Sequence, residues 1–265
     1  MSVLETEGLT RRFGTLTAVD ALTVSVEAGE VFALLGANGA GKTVTMKMLT
    51  TLLRPSAGNA RVAGFDIVHH AAQVRRVIGY VPQLVSADGA LTGYENLLIF
   101  AKLYDIARAE REGRIQEALT FMGLIEVRDK LVREYSGGMI RRLEIAESML
   151  HRPPVLFLDE PTVGLDPAAR EAVWERVADL RSRYGTTIVF TTHLMEEADH
   201  LCTRLAIMRR GRLVVSGTPR DLKAAVGGSE TTMDDVFIHY AGAEVESGGA
   251  YRETSQARQT AKRLS

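Results

Sequence analysis

Apolar and polar residues alternate near the start of the chain, within residues 2–27. Leu22, Val24 and Val26 are each followed by a polar residue, and this period of two predicts two or three strands. Short apolar runs predict further strands at residues 31–35, 59–63, 77–81, 155–158, 187–191, 205–208 and 213–216, the last two as a hairpin. The run 155–158 is continuously apolar, which is typical of a central strand in a parallel sheet.

Helical patterns occupy most of residues 84–150 and recur later in the chain. Thr92 and Glu95 stand three positions apart before an apolar run, which predicts a capping box at a helix start. Helices are predicted at residues 42–53, 111–122, 140–150, 168–183 and, as two short helices, within 219–241, the second of them at 233–240. The helix at 42–53 is expected to end near Pro55, because proline cannot continue a helix.

A glycine-rich stretch follows the apolar run 31–35 and consists of Gly36, Ala37, Asn38, Gly39, Ala40, Gly41, Lys42 and Thr43. A strand, such a turn and a helix in this order predict a cradle for phosphate groups. The glycines let successive N–H groups point inward, and the helix adds the positive end of its dipole. Lys42 is expected to reach the outer phosphates and the Thr43 hydroxyl to bind magnesium. The alternative is a turn that only joins a strand to a helix.

Polar residues follow several predicted strands at the edge where open α/β sheets bind ligands. Asp159 and Glu160 come directly after the run 155–158. One acid is expected to hold magnesium and the other to accept a proton from an attacking water, unless the pair is only a helix start. His193 can contact a terminal phosphate, although a lone histidine is more often structural. Gln83 either orients a magnesium-bound water or is a loop residue without a task.

Three further features each allow a structural and a functional interpretation. Phe13, with Val19 beside it, is either an ordinary core aromatic or a flat face on which an adenine base stacks. Ser136 precedes two glycines and is either a good N-cap and no more, or the start of a second anion site. Asp166 precedes a proline, which is ordinary chemistry for a helix start, and it can also reach across an interface.

Composition narrows the class of protein. The chain has 265 residues, with 46% hydrophobic and 25% charged, as expected of a globular protein with one large or two small domains. A formal net charge of −1 gives no indication of a nucleic-acid partner. The single cysteine, Cys202, excludes an internal disulfide and fits a reducing compartment. No apolar run is long enough to span a bilayer, so action at a membrane requires a separate polypeptide.

Taken in order, these motifs resemble the nucleotide-binding subunit of ABC transporters over roughly residues 2–218. The resemblance implies an α/β fold: a P-loop NTPase core with a mixed sheet, an N-terminal antiparallel β subdomain and an inserted α-helical subdomain at about 84–150. It implies an ATP-binding domain over residues 1–218 and a C-terminal helical extension with a basic tail over 219–265. The tail from residue 242 is expected to be disordered, with an ordered docking helix at 255–264 as the alternative.

The resemblance also implies a role for each motif residue. The implied catalytic residues are Glu160 as general base, His193, Gln83 and Lys42. The implied Mg²⁺ ligands are Thr43, Gln83 and Asp159. The residues implied to bind ATP are Phe13, Val19, Gly36, Asn38, Gly39, Ala40, Gly41, Lys42, Thr43, Val44, Ser136, Gly137, Gly138, Met139 and Asp166. In this family the signature, here residues 136–139, contacts the ATP held by the other subunit.

Two departures from the family pattern affect the expected contacts. Ala37 replaces the usual proline and adds an N–H group. Met139 replaces the usual glutamine of the signature, so the backbone N–H groups and Ser136 must bind the phosphates there. The Tyr-Ser-Gly-Gly-Met signature, the stretch around His193 and the Asp-Asp-Val-Phe segment are similar to one branch, the daunorubicin/doxorubicin-resistance type of drug and antibiotic exporter.

The resemblance therefore implies an ATPase that powers efflux of a drug or antibiotic-like compound. The expected partners are separate multi-span membrane permease subunits, met at the cytoplasmic face of the membrane, and a second copy that closes head to tail around two ATP molecules. The alternative is a soluble ABC ATPase acting in regulation, DNA repair or on the ribosome. Repair members carry a coiled coil between the positions of Lys42 and Asp159, and ribosome-acting members usually carry two ATPase units in one chain. Neither feature is present in this sequence.

Overall fold

A computed structural model of the protein describes residues 2–228 and 230–242. The strands are β1 (Ser2–Phe13), β2 (Leu16–Glu27), β3 (Val31–Leu35), β4 (Ala57–Val62), β5 (Phe65–Asp66), β6 (Ile78–Val81), β7 (Val155–Asp159), β8 (Thr187–Thr192), β9 (Arg204–Arg209) and β10 (Arg212–Gly217). The helices are α1 (Lys42–Leu49), α2 (Ala71–Val77), α3 (Gly93–Leu103), α4 (Arg108–Phe121), α5 (Gly137–Met149), α6 (Pro167–Tyr184), α7 (Met195–Leu201), α8 (Pro219–Val226) and α9 (Met233–Ala241). Short 3-10 turns lie at Ile125–Val127 and Val132–Glu134.

The strands form one antiparallel and one mixed sheet. The antiparallel sheet has the order β2-β1-β4-β5, and the mixed sheet has the order β10-β9-β3-β8-β7-β6. Within the mixed sheet only β10 runs antiparallel to its neighbour. The predicted fold class, α/β with an N-terminal antiparallel part and a mixed sheet, is confirmed. Because β3, β8 and β7 are parallel neighbours, the residues that follow them meet at one edge of the sheet.

Strand β3 is apolar at every position because both faces of the mixed sheet are covered. Val31, Ala33 and Leu35 belong to a core that also contains buried residues of α5, α6 and α7. Phe32 and Leu34 belong to a second core, formed with α1 and the antiparallel sheet. Successive side chains of β3 therefore alternate between the two cores, as expected of a strand, and the side chains on both faces are apolar.

Helices α3, α4 and α5 lie between β6 and β7 in the chain, as the predicted helical insertion requires. They bury Leu97, Ile115 and Leu143 in the same core as one face of β3. The capping box at α3 is confirmed: Thr92 Oγ1 accepts the Glu95 N–H at 3.1 Å, and Glu95 Oε2 accepts the Thr92 N–H at 2.8 Å. Helix α5 begins at Gly137, earlier than the predicted start at residue 140.

The predicted bounds of α1 and of the strand from residue 77 are also wrong. Helix α1 ends at Leu49 and not near Pro55. Thr51 adopts a φ of 65°, outside the helical region, and the Thr50 hydroxyl donates to the Met46 carbonyl oxygen at 2.8 Å. The strand predicted from residue 77 begins one residue later, because Val77 ends α2, a helix that the sequence analysis missed.

The two short C-terminal helices are confirmed as α8 and α9. Helix α9 buries Met233, Val236 and Phe237 in the core that contains Leu205 and Ile207 of β9. The division of the chain at residue 218 stays a prediction. The tail prediction, including the alternative helix at 255–264, lies almost entirely outside the described residues. Within the described ranges, no helix combines the length and the hydropathy that a membrane crossing requires.

Candidate functional site

The glycine-rich loop joins the end of β3 to the start of α1. A Cβ atom at Gly36 would lie 2.7 Å from the carbonyl oxygen of Met208, and one at Gly41 would lie 2.6 Å from that of Ala18. Gly41 also has a φ of 102°, so both positions require glycine. As the N-cap of α1, Gly41 has no side chain to bind the first N–H groups of the helix. These N–H groups have no partner within the helix and form a site suited to an anion.

The other residues predicted for the loop lie around this helix start. Asn38 and Gly39 are exposed, Ala40 is buried, and Thr43 and Val44 are half-buried on the first turn of α1. The Lys42 amine is buried and donates to the carbonyl oxygens of Gly36 at 2.7 Å and Ala37 at 3.3 Å. Burial lowers the pKa of Lys42, and the carboxylate of Glu160 opposes that shift.

Asp159, at the end of β7, lies against the first turn of α1. Its Oδ1 accepts hydrogen bonds from Thr43 Oγ1 at 3.2 Å and from Thr191 Oγ1 at 2.5 Å. Its Oδ2 is buried and has no hydrogen-bond partner in the part of the chain that the structure describes. Burial raises the pKa of Asp159, while the hydrogen bonds from Thr191 and Thr43 act in the opposite direction. An unsatisfied carboxylate oxygen beside a hydroxyl fits a hard cation such as Mg²⁺.

Three of the predicted catalytic residues surround the carboxylate of Glu160. Oε1 lies 3.2 Å from Lys42 Nζ and 3.4 Å from His193 Nδ1, and Oε2 accepts a hydrogen bond from Gln83 Nε2 at 3.3 Å. The contact with His193 holds the pKa of Glu160 below its usual value, burial acts against that shift, and Lys42 adds to it. The structure therefore brings Lys42, Gln83, Glu160 and His193 together from four separate parts of the chain.

Thr191 is a member of this site that the sequence analysis missed. Its hydroxyl donates to Asp159 and accepts the backbone N–H of Glu160 at 2.9 Å, and its carbonyl oxygen accepts the same N–H at 3.2 Å. Glu160 has a φ of 49°, which is strained for a residue with a side chain. These bonds hold Glu160 in that conformation. A threonine inside a strand is common, so no pattern in the sequence sets Thr191 apart.

The predicted adenine-stacking residue is on the surface and not in the core. Phe13 is 44% exposed, and the Arg11 guanidinium lies 4.5 Å from the centre of its ring. Arg11 also donates to the carbonyl oxygen of Arg54 at 2.8 Å, which fixes the guanidinium. Val19 is fully buried, and a Cβ atom at Gly41 would lie 3.3 Å from its Cγ2. Val19 therefore packs against the glycine-rich loop at Gly41.

The residues of the signature are placed at the start of α5, against the start of α6. Ser136 and Gly137 are exposed, Met139 is half-buried, and Gly138 is buried where a Cβ atom would lie 2.7 Å from Cβ of Ala169. Ser136 Oγ caps α5 by accepting the Met139 N–H at 3.3 Å. Exposed Asp166 caps α6 by accepting the Ala169 N–H at 2.9 Å.

The signature and the phosphate loop remain separate within one chain. Among the described residues, no hydrogen bond or ion pair joins residues 136–139 to residues 36–43. The structure therefore assembles one group of predicted site residues at the sheet edge and displays the other group at a helix start on the surface.

The chain matches known proteins over most of its length. The family model described as ABC transporter matches residues 19–163. The chain is 45% identical to the daunorubicin/doxorubicin resistance ATP-binding protein DrrA of Streptomyces peucetius, over 84% of this chain and 68% of that protein. It is 44% identical to the Nod factor export ATP-binding protein I of Ralstonia nicotianae, over 83% of this chain and 68% of that protein. The solved structure of an ATP binding subunit of an ABC transporter superposes with a TM-score of 0.80 at 29% identity, covering 90% of this chain and 99% of that one.

Proposed function

The chain belongs to the ABC transporter family, whose ATP-binding domains hydrolyse ATP to power transport, and we propose that it energises efflux of a drug or antibiotic-like compound. The observation that carries the proposal is the grouping of Lys42, Gln83 and His193 around the carboxylate of Glu160, beside Asp159. This arrangement places a proton acceptor next to a phosphate cradle. The choice of cargo rests on the names of relatives, which include a daunorubicin/doxorubicin resistance protein and a Nod factor export protein.

ATP binding is assigned to three parts of the site. The open N–H groups at the start of α1, together with Lys42, hold the phosphates. The exposed face of Phe13, on the side away from Arg11, stacks on the adenine base. Thr43, Asp159 and Gln83 would hold Mg²⁺, which when bound would neutralise charge on the phosphate oxygens.

Glu160 acts as the general base. Its lowered pKa keeps the carboxylate ionised at neutral pH, so it can accept a proton from an attacking water. Phosphate oxygens compete with Oε1 for Lys42, and this competition frees Oε1 for the water. The Gln83 amide lies beside the Glu160 carboxylate, and His193 contacts the terminal phosphate from the end of β8. Thr191 keeps both acids in place.

We assign the signature to a second copy of this chain. Ser136 and Gly137 are exposed at the start of α5 and make no hydrogen bond with the chain's own phosphate loop in the described residues. Asp166 is also exposed. It caps α6, and the start of α6 packs against the start of α5. Two copies that close head to tail would each cover the outer face of the other's terminal phosphate with N–H donors.

The membrane partners proposed are separate multi-span permease subunits, which the protein meets at the cytoplasmic face. Four large apolar side chains are exposed in the loop after Gln83 and on α3: Leu84, Val85, Ile99 and Leu103. Leu84 and Leu103 are 82% and 70% exposed, and we assign these exposed side chains to the contact with the permease. A movement of the two copies relative to each other would be transmitted to the permease through these exposed side chains.

The experiment is co-purification and efflux in one host. The tagged chain is expressed with its adjacent coding sequences, and complexes are isolated from detergent-solubilised membranes. Recovery of a subunit with about six apolar spans, together with drug efflux that disappears in Lys42→Ala, supports the proposal. ATP hydrolysis without any co-purifying membrane subunit would instead indicate a regulatory, repair or ribosome-associated ATPase.

A further inference from the structure

Helix α5, which begins with the signature, buries an ion pair of its own. Arg141 is 6% exposed and Glu144 is 2% exposed, and Arg141 Nη1 lies 3.0 Å from Glu144 Oε2. A pair this deeply buried loses hydration energy that the mutual attraction often does not recover. Hydrogen bonds of Arg141 and Glu144 with other parts of the chain therefore help to offset the cost of burying the pair.

Both side chains bind the loop that follows β6 and carries Gln83. Arg141 donates to the carbonyl oxygen of Pro82 at 2.8 Å and to that of Gln83 at 3.1 Å. Glu144 Oε1 accepts the Ser86 N–H at 2.5 Å and the Ser86 hydroxyl at 3.0 Å. The ion pair thus holds the two ends of a five-residue stretch to one turn of α5.

The loop has little other support. Gln83, Leu84, Val85 and Ser86 are all exposed, and Leu84 is 82% exposed, so side-chain packing contributes little to the position of this backbone. A segment with few buried contacts is free to open unless hydrogen bonds hold it. The charge-assisted bonds from α5 are of the strong type. They therefore determine where the backbone of Gln83 lies.

We infer that Arg141 and Glu144 are positioning residues, which tie the Gln83 loop to the signature helix and so set the distance between the Gln83 amide and Glu160. The inference rests on the proposed function, because that proposal assigns Gln83 and Glu160 to the reaction. Gln83 connects Arg141 to Glu160. Arg141 binds the backbone of Gln83, and the Gln83 side chain donates to Glu160 at 3.3 Å. Because Arg141 and Ser136 share one helix, a displacement of the signature moves the Gln83 amide with it.

The test uses Arg141→Lys, which keeps a positive charge but cannot donate to two carbonyl oxygens in a fixed geometry. We expect kcat for ATP to fall about tenfold with KM little changed, because a small displacement of a positioned group acts on the reacting state and not on binding. Backbone hydrogen exchange of residues 83–86, measured without nucleotide, should become faster. Glu144→Gln should give the same two effects in weaker form, because glutamine keeps an acceptor for the Ser86 N–H.

The matched control is Glu147→Gln, one turn further along α5 and equally buried at 2% exposure. Burial and the charge of Glu144 raise the pKa of Glu147 to about 8, so at neutral pH glutamine resembles the group it replaces. We expect wild-type turnover and wild-type exchange from this variant. If Arg141→Lys does not fold, as judged by circular dichroism, Glu144→Gln alone carries the test.

The two readouts separate the inference from the proposal on which it rests. Wild-type turnover with faster exchange, or reduced turnover with unchanged exchange, would overturn the positioning role and leave the ATPase assignment intact. A wild-type protein that does not hydrolyse ATP would overturn the proposed function, and the exchange rates would still report whether α5 holds the loop.

Discussion

Helices α1 and α5 both have glycine at or next to their first residue, and they differ in what surrounds their N-termini. Helix α1 has no side-chain cap, and its start is surrounded by Lys42, Asp159 and Glu160 from the same chain. Helix α5 is capped by its own Ser136, and Ser136 and Gly137 face solvent. The first site gathers its charged groups from one chain, whereas in the described residues no hydrogen bond or ion pair links the second to the phosphate loop. Changes at the first should therefore alter chemistry, and changes at the second should alter association.

The largest effect is expected from Glu160→Gln. Removing the proton acceptor should lower turnover by about 10²- to 10⁴-fold, the range for general base catalysis, while ATP still binds. Steady-state phosphate release and nucleotide titration measure the two quantities. Glu171→Gln, an exposed carboxylate on α6, is the control and should hydrolyse ATP normally. Wild-type turnover in Glu160→Gln would remove this residue as the base.

Lys42→Ala should weaken ATP binding about tenfold to a hundredfold, because a charged hydrogen-bond donor contributes about 1.5–3 kcal/mol. Binding is measured by titration with a fluorescent nucleotide. Lys47→Ala, which removes an exposed lysine from the last turn of the same helix, should bind ATP as the wild type does. An equal loss of affinity in both variants would mean that Lys42 has no special place in the cradle.

Ser136→Ala tests the outward-facing helix start. Loss of the cap should lower the free energy of unfolding by about 1 kcal/mol and should also weaken ATP-dependent dimerisation. Thr218→Ala removes an equivalent cap from α8, where the Thr218 hydroxyl accepts the Asp221 N–H at 3.1 Å. It should show a similar loss of stability with normal dimerisation. If both variants dimerise equally well, Ser136 is a cap and nothing more.

The smallest effect is expected from Phe13→Ala, which should weaken ATP binding by about 1 kcal/mol, the scale of one base stacked on an aromatic ring. Leu16→Ala, at a residue that is 65% exposed and pairs with Phe13 at the start of β2, serves as the control. The comparison of dissociation constants is sharpest with ATP against a nucleotide whose base stacks poorly. No difference between Phe13→Ala and the wild type would assign this ring to another contact.

The sequence predicted the local parts of this arrangement well and only some of the long-range parts. The glycine loop, the capping box at Thr92 and the cap at Asp166 depend on residues a few positions apart, and the structure contains all of them. Thr191 and Arg141 were missed because their partners, Asp159 and the Gln83 loop, lie far away in the chain. Helix α1 ends early because Thr51 adopts a positive φ, and a threonine in the sequence does not predict a positive φ.

We propose that one chain holds only part of a competent ATP site and that a second copy supplies the rest. The most direct measurement is the ATPase rate per molecule over a dilution series, with the oligomeric state followed by light scattering. We expect the specific rate to fall on dilution as dimers separate, and Glu160→Gln to accumulate as a dimer when ATP is present. A specific rate that stays constant while the protein remains monomeric would contradict it.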